Sequence, residues 1–407
     1  MFAVRAVRRQ VLGAGACRFG TRAFSAPQVQ LAGCTMSGSS VGLEFNDGRK
    51  LEIPAVYLRD SCRCPECFHP STLQRRVSVL NQPGITEVEE ARVQDGALSV
   101  IWKGGHHTEL DAQWLLRNTR RQEQPVTSWT APWMHDNLDR ITFGFQDVIN
   151  DPSVCEAWLQ AFKTYGFGRL RGANLQVGEL NRLSEAVSIP MRTTIYGEGG
   201  QMTFQVQSKP DPNNQAYTAD FLGLHTDLPF YAAPPGAQLL HFIRKDEVGG
   251  ASLFSDGMAA ADELRSIDPE AWKLLTTVPV VFEDIDPSEN PKYHLEASHP
   301  VLELDPATEK CRAVHFNNGV RSAILGVTDP EVISAHYRAT ALLDKLLNSD
   351  KFLFKMDALP GDVWVFNNRR VLHGREAMSV TSPRMLEGCY FEWDDIHSKL
   401  RLLSKRH

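Results

Sequence analysis

"LGLHTDLPF", residues 222–230, is the stretch on which the fold reading turns. Leu222, Leu224 and Thr226 alternate with Gly223, His225 and Asp227, the period of a β-strand. An imidazole and a carboxylate therefore share one face, two residues apart. Alone they read as a solvated polar pair. Pro229, Pro234 and Pro235 follow closely, as where a strand opens onto a loop.

On either side lie many short strand candidates: "FGRLRG", "AQLLHFIRK", "ASLFSD", "RAVHFNN", "DVWVFNNRRVLHG" and "LEGCYFEW". Helical spacing is confined to a few segments. In 177–187, Leu180, Leu183 and Val187 fall on one face. In 329–349, Asp329 can cap the helix and Pro330 suits its first turn. Strands and helices do not alternate, which argues against a doubly wound parallel sheet. The expectation is a mainly β protein with flanking helices, a β-barrel or jelly roll buttressed on one side. Residues 41–125 predict a smaller β-rich module, with hairpins turning at Asn46-Asp47-Gly48 and Gly104-Gly105 and a short helix in "LDAQWLLRN". Residues 126–139 read as a linker and 140–407 as the main domain.

The 407 residues are 42% hydrophobic and 23% charged, ordinary for a globular chain. A net charge of −6 gives no sign of a nucleic-acid surface, and no apolar run is long enough to span a bilayer. The first forty residues differ. Arg5, Arg8, Arg9, Arg18 and Arg22 occur there with no acid, and Arg18 interrupts the one apolar candidate for a secretory core. Residues 1–40 are therefore expected to be a mitochondrial presequence directing the chain to the matrix, or a disordered leader on a cytoplasmic protein.

The second decisive stretch is "PGDVWVFNNRRVLHGRE", 360–376. It reads as a Pro-Gly-Asp turn, then one strand ending on His373. Arg384 follows eleven residues later. His225, Asp227 and His373 supply two neutral imidazoles and one carboxylate. That set suits Fe(II) in a facial triad with three positions open for an organic co-substrate and O₂. A co-substrate with a distant carboxylate, such as 2-oxoglutarate, needs a buried cation that binds it bidentately, and arginine does this better than lysine.

With these motifs the chain resembles the Fe(II)/2-oxoglutarate-dependent dioxygenases, in their γ-butyrobetaine/trimethyllysine dioxygenase branch. "PAVYLRDSCRCPEC", "NNQAYT", "HTDLPFYAAPPGAQLLH", "GGASLFSDG", "FNN", "LHGRE" and "LEGCYFEWDD" carry the resemblance, from about residue 50 to the end. It implies a double-stranded β-helix (jelly roll) core, with His225, Asp227 and His373 on Fe(II). Arg384 would then bind the far carboxylate of 2-oxoglutarate. Ser252 stands where relatives place a hydroxyl donor to that carboxylate; the plainer reading is a turn hydroxyl satisfying nearby backbone.

Cys62, Cys64 and Cys67 form a C-x-C-x₂-C cluster, while the other five cysteines are scattered. A fourth ligand would close a tetrahedral structural zinc site, making the N-terminal module a zinc-binding domain. His69 lies so near Cys67 that the chelate is strained. His106 lies beyond the second hairpin and matches the histidine used by the proteins this chain resembles; His107 is its competitor.

A quaternary ammonium is selected by aromatic faces. Tyr196, Tyr217 and Tyr390 match cage aromatics of the branch, and Phe204 replaces a tryptophan. Asn214 and Asn317 match donors to a substrate carboxylate; otherwise each is a turn asparagine. "YGEGGQMTFQVQ" is about four residues longer than its counterpart, through Glu198-Gly199-Gly200-Gln201. The resemblance implies hydroxylation of γ-butyrobetaine to L-carnitine, the last step of carnitine biosynthesis, with succinate and CO₂ as co-products. It also implies ascorbate as reductant and a homodimer. The alternatives are trimethyllysine or another betaine as substrate, and more remotely a catalytically silent jelly-roll binding module.

Overall fold

The structure is a computed structural model that describes residues 29–78, 87–119, 126–197, 201–208, 214–246 and 249–404. The basic residues of 1–28 and most of the lengthened loop (198–200) lie outside them. The chain divides into two compact units, Met1–Glu123 and Gln124–His407. No helix among the described residues is long and apolar enough to cross a membrane.

The first unit holds two three-stranded antiparallel sheets, Leu31–Ser37, Ser40–Phe45 and Lys50–Pro54, then Val88–Gln94, Ala97–Trp102 and His107–Asp111. Both expected hairpins are present, and Gly48, Gly104 and Gly105 turn them at positive φ. Val41, Phe45, Leu98, Val100, Trp102 and Leu115 form its core. The expected 1–40 leader runs too far: Leu31–Ser37 pairs with Ser40–Phe45 in register, and Leu31 is buried. That strand carries no charge to mark it off from the basic stretch before it.

The second unit is a jelly roll. Its larger sheet runs in the order Thr142–Gly144, Phe167–Arg171, Val363–Asn367, Ala237–Arg244, Met385–Phe391, Phe204–Val206. Its smaller sheet runs Leu222–His225, Val371–Arg375, Ser252–Asp256, Phe354–Met356. Strand alternation sorts the core. Trp364 and Phe366 point inward to meet Phe254 and Phe354 of the smaller sheet. Val363 and Val365 point outward to helices Pro152–Tyr165, Glu179–Val187 and Trp393–Ser404.

The stretch 360–376 is not one strand. It is two, Val363–Asn367 in the larger sheet and Val371–Arg375 in the smaller. The turn between them is locked by Arg370, whose Nε and Nη2 donate to the two carboxylate oxygens of Asp256 at 3.0 and 2.7 Å, both residues fully buried. Nη2 also donates to the Thr127 carbonyl at 2.7 Å, and Asp256 accepts from the Trp129 N–H at 3.0 Å. Residues 126–139 are therefore no linker. They form helix Ala131–Asn137, with Trp129, Met134 and Leu138 in the inter-sheet core. Polar neighbours masked that apolar spacing. Arg370→Met leaves the Asp256 charge buried without its cation, and the expected cost in denaturant unfolding of this unit is about 3–5 kcal/mol.

Candidate active site

His225 ends strand Leu222–His225 and lies directly opposite His373 of Val371–Arg375, with ring centroids 4.2 Å apart. The Nδ1 of His225 is 2.8 Å from the Gly223 carbonyl. Donation there leaves Nε2 unprotonated and able to ligate. Nε2 of His225 is 3.3 Å from Asp227 Oδ1, and Nε2 of His373 is 3.8 Å from the same oxygen. Ligands cis to one another around a six-coordinate ion with bonds of ~2.1 Å lie about 3 Å apart, so this donor set fits one ion on one face. Burial pushes the His373 imidazole down to about 3, which keeps it neutral. Burial also acts against a charge on His225, but the hydrogen bond and charge of Asp227 outweigh it and raise that imidazole, so a bound cation there competes with a proton for Nε2. Burial works to raise the Asp227 carboxyl, but the two imidazoles and the Tyr390 hydroxyl outweigh it and hold it below the usual carboxylate range.

Asp227 is held from three directions. Its N–H donates to Asn368 Oδ1 at 2.7 Å, and Asn368 Nδ2 returns a bond to its carbonyl at 2.8 Å. Leu228 then turns the chain away at φ 58°. On the other face Thr226 accepts from the Phe316 N–H at 3.2 Å and donates its own N–H to the Phe316 carbonyl at 2.7 Å. The carboxylate itself accepts from the Tyr390 hydroxyl through Oδ2 at 2.6 Å.

Beside the triad opens a cavity of about 260 Å³. Ser252, Arg384 and Arg375 line one end. Arg384 is 7% exposed, packs over the Phe242 ring, and makes no ion pair among the described residues. Burial, then repulsion from Arg375, pushes its guanidinium down to about 9. Such a cation is poised for an anion. Among the described residues the Arg375 side chain donates to the Thr218 and Glu376 carbonyls. Sequence reasoning passed over it, although it sits two residues beyond His373 on the same strand face.

Tyr196, Phe204 and Tyr217, with Asn214 and Asn317, also line the cavity. The Phe204 ring lies against Gly388, where an added Cβ would stand 2.4 Å from it, and stacks on Tyr390 at 5.4 Å. Tyr390, expected as a cage wall, is fully buried and does not line the cavity. Asp284, for which no motif spoke, does line it, and burial raises its carboxyl.

In the first unit, His106 Nε2 lies 3.3, 3.7 and 3.5 Å from the sulfurs of Cys62, Cys64 and Cys67. Zinc bonded tetrahedrally at ~2.3 Å to sulfur and ~2.0 Å to nitrogen places S and N about 3.5 Å apart, so these four residues could hold it. Arg59 Nη1 donates to Cys67 Sγ at 3.2 Å and Glu66 lies 3.5 Å from His106 Nδ1, the outer partners such a site uses. The other histidines are engaged elsewhere: His69 Nδ1 accepts from the Ser71 and Thr72 N–H groups, and His107 pairs with Ser99 at 2.9 Å.

Two imidazoles, one carboxylate and a buried arginine at the mouth of a jelly roll define a mononuclear non-haem oxygenase. Residues 126–390 match the family described as taurine catabolism dioxygenase TauD, TfdA family, and residues 34–118 match the gamma-butyrobetaine hydroxylase-like N-terminal family. The chain is 33% identical to human gamma-butyrobetaine dioxygenase over 87% of its length and 91% of that protein. It is 31% identical to gamma-butyrobetaine dioxygenase of Pseudomonas sp. (strain AK-1), over 92% and 96%. It is 30% identical to bovine mitochondrial trimethyllysine dioxygenase, over 86% and 82%. The chain belongs to this dioxygenase family.

Proposed function

We propose that the chain hydroxylates γ-butyrobetaine to L-carnitine, with 2-oxoglutarate as co-substrate and succinate and CO₂ as co-products. The observation that carries this reading is a single cavity bounded by the triad, the buried Arg384 and an aromatic wall. Bound by His225, Asp227 and His373, ferrous iron supplies the oxidising chemistry that replaces a C–H hydrogen by hydroxyl as 2-oxoglutarate and O₂ are consumed. The protein supplies position and dryness. Arg384 and Ser252 hold the far carboxylate of 2-oxoglutarate, with Arg375 adding positive field. Tyr196, Phe204 and Tyr217 face the trimethylammonium group, and Asp284 adds a negative group to that cavity.

Asn214 and Asn317 favour γ-butyrobetaine over trimethyllysine. The Asn214 oxygen accepts from the Ala216 N–H at 2.9 Å and the Asn317 oxygen from Gly319 at 3.0 Å. Asn317 Nδ2 also donates to the Thr226 carbonyl at 3.2 Å, and the Asn214 side chain hydrogen-bonds Tyr196. The second N–H of each amide suits a carboxylate and suits an α-ammonium poorly. Turnover of the two betaines side by side tests this: γ-butyrobetaine is expected to give the higher kcat/KM, and a preference for trimethyllysine would reverse the assignment.

The same reading places a structural zinc on Cys62, Cys64, Cys67 and His106, ascorbate as the reductant that keeps iron ferrous, and a homodimer as the working form. The acid-free, arginine-bearing stretch before Leu31 supports import into the mitochondrial matrix. Imaging of a full-length fusion against one lacking residues 1–28 checks it.

A further inference from the structure

We propose that Asp284 is the counter-charge by which this cavity selects a cation: the preference for a quaternary ammonium over a neutral group of the same shape is set by this carboxylate. The inference deepens the betaine reading of the cavity and rests on it. Asp284 lies near the end of strand Pro279–Ile285, opposite Leu295 of strand His294–Pro300. It lines the same cavity as Tyr196, Phe204 and Tyr217. It is half-buried, and no lysine, arginine or histidine among the described residues forms an ion pair with it; the neighbouring charge that acts on it is Asp286, of like sign. Two tyrosine hydroxyls feel its field. Burial raises that of Tyr196, with Asp227 and Asp284 adding to it, and burial followed by Asp284 raises that of Tyr293 to about 12. A carboxylate drawn from water without a cation carries a cost that a cationic ligand recovers. The other charges of the cavity are already divided. Asp227 faces the two imidazoles, and Arg375 and Arg384 suit an anion. A quaternary ammonium has no N–H to donate, so aromatic faces and charge are what remain to hold it. The Tyr196 and Phe204 rings, tilted 58° at 5.5 Å, supply faces for its methyl groups. An opposite charge within ~4–6 Å shifts the balance between a charged and a neutral form by about ten- to a thousandfold.

The test is calorimetric titration of the full-length protein, loaded with Mn(II) and 2-oxoglutarate, with two ligands. One is γ-butyrobetaine. The other is 5,5-dimethylhexanoate, in which carbon replaces the nitrogen and the carboxylate is unchanged. Wild type is expected to bind the betaine at least about tenfold more tightly. Asp284→Asn keeps the size and removes the charge. It is expected to weaken the betaine about tenfold and to leave the neutral ligand and 2-oxoglutarate as they were, so that the preference collapses. Asp284→Glu keeps the charge and is expected to keep the preference; its loss there as well would assign the effect to shape and overturn the proposal. A full preference retained in Asp284→Asn overturns it, as does an equal weakening of both ligands, which would place Asp284 at the carboxylate they share. Equal affinity of the wild type for the two ligands overturns it without any variant. Failure of the wild type to bind γ-butyrobetaine at all would instead overturn the betaine reading beneath it.

Discussion

His373→Ala abolishes betaine-coupled succinate formation, a fall of at least about a hundredfold, since removing even an outer partner of a ligand costs ten- to a hundredfold. His373 stands in register with His225, and both Nε2 atoms converge on Asp227 Oδ1. Removing one of three protein ligands leaves a two-point site that neither retains the ion nor orients its open positions. The ring also packs against Phe366 at 4.8 Å, so some stability goes with it. A folded-state control therefore accompanies the assay: circular dichroism must show the jelly roll intact while succinate release is lost.

Cys64→Ser has the second large effect, in the other unit. The three sulfurs and His106 lie at the spacing of a closed tetrahedral site. The cluster ties the segment after helix Ala55–Asp60 to the turn before strand His107–Asp111. Structural zinc binds with ~10–16 kcal/mol of apparent free energy, which is folding free energy where the metal site forms only in the folded state. Loss of one thiolate forfeits much of that, against a modest core of Val41, Leu98, Val100 and Trp102. The expected results are zinc content near zero and a fall of more than about 10 °C in the melting of the first unit. Limited proteolysis should cut near residues 61–76 while the second unit stays resistant.

The parts of this site visible in the sequence are those whose chemistry is local. Three thiols within six residues carry their own signal, whereas the His-x-Asp at strand spacing gains one only together with a histidine eleven residues before an arginine. What stayed hidden depends on contacts across the chain. Asn368 looked like one more polar residue in "FNNRR", because its partner Asp227 lies 141 residues away. The same run read as one strand because apolar residues flank Asn367–Arg370 on both sides, Val363–Phe366 before and Val371–Leu372 after; the buried Arg370–Asp256 pair that bends it is likewise long-range. Tyr390 was assigned by position in a motif. Its burial behind Phe204 follows from Gly388, which clears the sheet face for that ring. Residues 126–139 were misread because proline and polar residues surround the apolar positions Trp129, Met134 and Leu138.

The most direct test of the account is a product balance. Purified full-length protein is supplied with Fe(II), ascorbate, 2-oxoglutarate and O₂, with and without γ-butyrobetaine. The account predicts L-carnitine and succinate in one-to-one ratio when the betaine is present, and neither above background when it is omitted. Consumption of 2-oxoglutarate at the same rate with no betaine, or no hydroxylated product from γ-butyrobetaine in a protein shown to hold iron, would contradict it.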